Sequence, residues 1–185
     1  MWYILVLLVS LVFGGVSVAA EPAVKPETLA QIKKESRIFE SIIAEVLRQN
    51  FDNPFAVAAA PQAAYIQGYG LIVSYHLKIN RGTIRGFYGE VRSPVAPDVR
   101  SKREQIETVR RLMVQALGDY GGAIKRLQPT DRLAICAHVE DRNELDPAKN
   151  RTDLVISVAK GDIDAYSATK IDTDEFRQRV EVIEY

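Results

Sequence analysis

The residues of this chain best suited to chemistry are its single cysteine and its two histidines, and two of the three stand close together, Cys136 and His138. In an extended segment that spacing puts both side chains on one face. His76 sits in the longest clean strand pattern, Leu71 to Ile79, on the face it shares with Ile72, Ser74 and Lys78. Were that strand a neighbour of the first, His76 and Ser74 would join Cys136 and His138. An imidazole beside a thiol can lower its pKa and create a nucleophile, so one reading is a hydrolase using Cys136 with His138 or His76. Against it, catalytic pairs of this kind need a third, orienting group, and mid-strand side chains meet substrate poorly. Zinc bound by His76, His138 and Cys136 is a second reading, but no paired cysteines and no His-x-x-x-His spacing support it. Asp141, Asn143, Glu144 and Asp146 offer oxygen ligands without the glycine and spacing of an EF-hand. No Gly-x-Ser-x-Gly or His-Glu-x-x-His occurs, and Gly68 and Gly70 are not followed by a helix that would cradle phosphate. The reading is therefore of no catalytic constellation, no metal centre and no cofactor, with Cys136, His138 and His76 as the alternative site. Tyr65, Tyr69, Tyr75, Phe87 and Tyr88 offer an aromatic surface for a partner, which is how interface anchors look, and Tyr69, Phe87 and Tyr88 are the predicted binding residues.

The elements that must position these residues are legible from periodicity. Apolar residues recur at three- and four-residue spacing from Glu27 to Asn50 (Leu29, Ile32, Phe39, Ile42, Ile43, Val46, Leu47), which predicts a long amphipathic helix. Asn50, Asp52, Asn53 and Pro54 stop it. Phe55 to Gln62 reads as a loop or short helical turn. Ala63 to Gln67 reads as a short strand joined through Gly68-Tyr69-Gly70 to the strand ending at Ile79, a β-hairpin. Asn80 to Asp98 lacks periodicity. A second long helix is predicted over Val99 to Tyr120, stopped by Gly121-Gly122.

Leu133 to Val139 and Leu154 to Ala159 read as strands, with a polar loop from Glu140 to Thr152 between them. A short helix is expected from Gly161 to Ala168, and the Asp172/Glu175 capping pair predicts a terminal helix through Val182. Segregated strand pairs and long helices give an α+β fold: a sheet of about four strands packed against two long amphipathic helices, with a C-terminal helix.

Met1 to Ala20 is continuously apolar and ends in small residues before Glu21-Pro22. Val18 and Ala20 suit a signal-peptidase site, so residues 1–20 are predicted to be a cleaved signal peptide, 21–26 an extended lead-in and 27–185 a single domain. The rival is an uncleaved anchor, since about twenty apolar residues just span a bilayer. Lys plus Arg and Asp plus Glu both number 24. A neutral chain has no electrostatic reason to seek nucleic acid, and it meets a membrane only through the N-terminal segment if that is retained. One cysteine cannot form an internal disulfide, so stability must come from packing.

Three stretches, Phe51-Asp52-Asn53-Pro54-Phe55, Tyr65-Ile66-Gln67-Gly68-Tyr69-Gly70 and Leu154 to Asp162, resemble exported bacterial proteins of uncharacterised function. The resemblance implies a bacterial exported domain, periplasmic or extracellular, and supplies no active-site residues. The expected function is a non-catalytic binding or assembly module that meets an unidentified protein partner in the envelope.

Overall fold

The computed structural model describes residues 24–51, 57–79, 83–86, 89–92, 101–142, 144–146 and 149–185. The predicted signal segment, Phe87 and Tyr88 lie outside the described residues. Helix α1 (Pro26–Asn50) is followed by strands β1 (Val57–Ile66), β2 (Gly70–Ile79), β3 (Thr83–Gly86) and β4 (Gly89–Arg92). Then come helix α2 (Lys102–Tyr120), strands β5 (Arg132–Asp141) and β6 (Arg151–Ala159), helices α3 (Lys160–Ser167) and α4 (Thr173–Arg179), and strand β7 (Glu181–Glu184). Five strands form one mixed sheet in the order β1-β2-β5-β6-β7, while β3 and β4 pair with each other. β2 and β5 run parallel and the other pairs in the sheet run antiparallel. The fold is α+β.

One face of the sheet is buried under helices. Leu71, Val73, Tyr75, Leu77 and Ile79 of β2 alternate inward, as do Leu133, Ile135, Ala137 and Val139 of β5 and Leu154, Ile156 and Val158 of β6. α1 presents Ile32, Ser36, Phe39, Ile43 and Leu47 to that layer, a stripe at helical spacing. Pro26 begins α1 where no intrahelical N–H is needed. α2 adds Ile106, Val109, Met113, Ala116 and Leu117, and its start is set by a capping box in which Ser101 and Glu104 each accept from the other's backbone N–H.

The hairpin turn holds the two ends of the chain's central pairing. Gly68 (φ 77°) and Gly70 (φ 128°) both adopt the left-handed side of backbone space, which glycine enters without a Cβ penalty. A Cβ on Gly70 would stand 2.1 Å from the carbonyl oxygen of Arg132. Beside it the Tyr69 carbonyl accepts from the Arg132 N–H at 2.7 Å, so the turn clamps the first residue of β5.

Four expectations from the sequence need correcting. The sheet has five strands rather than about four, because β7 adds to its edge. The terminal helix ends at Arg179, not Val182: the Asp172/Glu175 box caps it as predicted, but Val180 turns extended and the next residues pair with β6. Residues from Val57 onward are strand, not loop or helical turn, and the two register shifts against β2 explain why Pro61 and the alanines hid it. α2 starts at Lys102, since Ser101 caps it, and Tyr120 at its far end is exposed.

Two substitutions test this account by urea denaturation. Gly70→Ala must both strain φ and push β2 from β5, with an expected loss of about 3 kcal/mol. The Tyr75 hydroxyl is buried with no hydrogen-bond partner among the described residues, and burial pushes the phenol pKa far up. Tyr75→Phe is therefore expected to raise stability by about 1 kcal/mol, and a comparable loss would mean that the hydroxyl is bonded.

Candidate functional site

The second face of the sheet is built from cross-strand rows. Register places Ser74 beside Cys136 and Cys136 beside Val155, then His76 beside His138 and His138 beside Asp153, then Lys78 beside Glu140 and Glu140 beside Arg151. Each row takes one residue from β2, one from β5 and one from β6, and all point away from the helices because the buried positions alternate with them. The expected meeting of His76 and Ser74 with Cys136 and His138 is thus realised by the parallel pairing of β2 and β5.

The imidazoles of His76 and His138 stack with ring centroids 4.7 Å apart and planes 26° from parallel. His138 Nδ1 lies 2.6 Å from Asp153 Oδ1, and Arg151 Nε donates to the same oxygen at 3.1 Å. We assign the Nδ1 proton to His138 as donor to the carboxylate, which fixes the ring and leaves Nε2 for other partners. Burial pushes the Asp153 carboxyl up, but the hydrogen bonds from His138 and Arg151, with their charges, outweigh it and hold the group below its ordinary value. Glu140 is held down chiefly by its bond from Arg142, with help from Lys78.

Cys136 stands beside this network without joining it. Burial first, and then the Asp153 carboxylate, push its thiol above the ordinary value, the opposite of what a nucleophile needs. No hydrogen bond joins Cys136 to either imidazole among the described residues. No group of three His, Cys, Asp or Glu side chains among the described residues is placed to hold a metal ion. Tyr69, half-buried in the hairpin turn, contributes its backbone to the β5 clamp described above, and its predicted companions Phe87 and Tyr88 lie outside the described residues.

A groove of about 670 Å³ runs between α2, α4 and β7. Val114, Tyr166, Phe176, Val180 and Val182 supply its apolar lining, Arg110, Arg111 and Arg177 supply positive charge, and Glu107 and Asp119 supply negative charge, with Arg177 paired to Asp174 at 3.2 Å. Tyr166 and Phe176 stack at 4.7 Å against Gly118, where a Cβ would meet their rings at 2.9 and 3.0 Å. Gly118 therefore lets α4 settle on α2 and shape the groove. Arg110 bonds Glu184 at 2.6 Å and pairs with Glu107 at 3.4 Å, while its Nε is buried without a partner among the described residues. Arg111 is exposed and has no ion-pair partner among the described residues.

Sequence reasoning missed this groove and the Asp153 partner of His138. The signal for Asp153 was present: the face holding Val155 continues backwards through Asp153, which fell between the polar loop and the strand as read, to Arg151 within that loop. The groove had no local signal, because α4 and β7 meet α2 only through tertiary packing. Comparison of the chain with protein-family models, with curated proteins and with solved structures finds no match in any of the three.

The Asp153 network makes one prediction in two readouts. Its carboxyl titrates lower folded than unfolded, so the stability it adds is present above the ordinary carboxylate pKa and is lost as pH falls through the lowered folded value. Asp153→Asn should cost about 1 kcal/mol at neutral pH in urea denaturation and flatten the acid limb. It should also speed alkylation of Cys136 by removing the charge that opposes the thiolate; unchanged alkylation would show that burial alone governs the thiol.

Proposed function

We propose that the chain is an exported, non-catalytic binding or assembly module of the bacterial envelope, and that its partner is a polypeptide seated between α2, α4 and β7. The apolar Met1 to Ala20 stretch with its small-residue end supports export. Among the described residues no helix is long and apolar enough to cross a membrane. The observation that carries the reading is the groove itself: about 670 Å³ lies in the range of binding clefts, with apolar side chains beside charged ones of both signs, of which Arg111 alone among the three arginines has no ion-pair partner among the described residues. Such a surface suits a segment with apolar side chains and an acidic flank. Arg111, exposed and unpaired among the described residues, is the cation best placed to receive that flank.

The Cys136 arrangement lends no comparable support to hydrolysis, because its thiol is pushed up and makes no bond to an imidazole among the described residues.

A photo-reactive side chain in place of Gln115, on the groove, should cross-link a defined envelope protein in the producing cell, whereas the same probe at the exposed Lys34 of α1 should not. Arg111→Glu should lower the Gln115 cross-link by about tenfold without changing thermal stability. The mature N-terminus should be Glu21 by mass spectrometry. Equal labelling from both positions, or none from Gln115, would overturn the binding reading, and a chain kept in the cytoplasm would overturn export.

A further inference from the structure

The chain has only two histidines, far apart in sequence, and the parallel pairing of β2 with β5 sets them ring to ring on the open face of the sheet. Their centroids lie 4.7 Å apart. His76 is exposed and the His138 side chain is 26% exposed, so solvent reaches both rings.

The tautomer of His138 decides what the pair can do. At 2.6 Å, Nδ1 and the Asp153 oxygen would repel through their lone pairs unless a proton lay between them, and the nitrogen carries it. In the neutral ring Nε2 then holds the free lone pair, and it has no partner among the described residues. A carboxylate on the Nδ1 proton with Nε2 left bare is the arrangement that orients an imidazole and raises its basicity at metal centres. His76 makes no hydrogen bond among the described residues, so its ring is free to turn towards the same point. Metal–imidazole bonds of about 2.0–2.1 Å let one ion span nitrogens up to about 4 Å apart, which stacked rings on neighbouring strands reach by small side-chain rotations.

The neighbouring cations leave this side open. Arg151 meets the His138 ring at Nδ1, with Nη2 at 3.2 Å, and its Nε donates to Asp153. Lys78, in the next row, is paired with Glu140 at 3.7 Å.

We infer that His76 and His138 form a two-imidazole site for a late first-row divalent ion such as Ni²⁺ or Zn²⁺, held by His138 Nε2 and a His76 ring nitrogen, with Asp153 as the positioning residue. Water fills the remaining positions. Cys136 lies one row away and is not a ligand, since among the described residues no group of three His, Cys, Asp or Glu side chains is placed to hold an ion. Two nitrogens and water make an exchangeable site, unlike a structural zinc site with its four protein ligands. The site stands on the open sheet face and does not depend on the groove.

Calorimetric titration of the full-length chain, carrying no added histidines, should show one saturable Ni²⁺ site, while Mg²⁺, which prefers oxygen ligands, should show none. His76→Ala should weaken Ni²⁺ binding by about tenfold or more and leave the urea midpoint unchanged, because the residue is exposed and makes no hydrogen bond among the described residues. Cys136→Ser should leave the affinity unchanged. Asp153→Asn, which keeps an acceptor but drops the charge, should weaken binding by about tenfold. The ring-proton signals of both histidines should broaden together as paramagnetic Ni²⁺ is added. No saturable site, binding that survives His76→Ala, or binding that is lost in Cys136→Ser overturns the inference, and unchanged affinity in Asp153→Asn overturns the role given to Asp153.

Discussion

Everything in this molecule is arranged by the parallel pairing of β2 with β5. The ten residues of β2 lie in unbroken register with β5, from Gly70 beside Arg132 to Ile79 beside Asp141, although more than half of the described chain's helical layer is made before or between them. Parallel neighbours cannot be joined by a tight turn, so the chain must leave the sheet and return, and α2 belongs to that crossover. Gly70 permits the approach because any side chain there would collide with the Arg132 backbone. Once that pair is set, the remaining strands add by antiparallel neighbours, β1 through the hairpin and β6 and β7 outward from β5.

The pairing also divides the chemistry of the two faces. Odd-numbered residues of β2 and β5 go under α1 and α2, where an apolar layer excludes water and even a tyrosine hydroxyl is left without a partner among the described residues. Even-numbered residues form the rows that stack His76 on His138 and hold His138 to Asp153. In that setting the Cys136 thiol is a small, partly buried side chain beside a carboxylate, and a negative neighbour opposes the thiolate. Proximity of a cysteine to histidines is therefore not activation; the sign of the surrounding charge decides. The apolar groove, where we propose that a partner binds, lies instead where elements meet late in the chain, beneath α4 and beside β7.

Much of this was legible in order of sequence. The stripe of Ile32, Phe39, Ile43 and Leu47 defined α1, the alternation from Leu71 to Ile79 defined β2, and the glycines at 68 and 70 marked the turn that their positive φ angles require. The shared face of Cys136 and His138 followed from spacing alone. Misreadings cluster where a tertiary partner overrode local preference. β1 hid behind Pro61 and a run of alanines, because an edge strand tolerates proline and bulges that a central strand does not. The charged run after Phe176 reads as a continuing helix, yet Val180 turns extended and Glu181–Glu184 completes the sheet beside β6.

The sequence by itself determined which residues are apolar and at what period, and hence the long helices, the inward faces of the central strands, the capping boxes and the neutral charge. These are properties of near neighbours along the chain, set by helix and strand geometry and by side-chain hydrophobicity. Only the tertiary structure decided that β2 lies beside β5, that Asp153 meets His138, and that α4 and β7 close a groove on α2. Each joins segments far apart in sequence, and the free energy that selects it comes from burying the whole layer at once. No local pattern of residues encodes that sum.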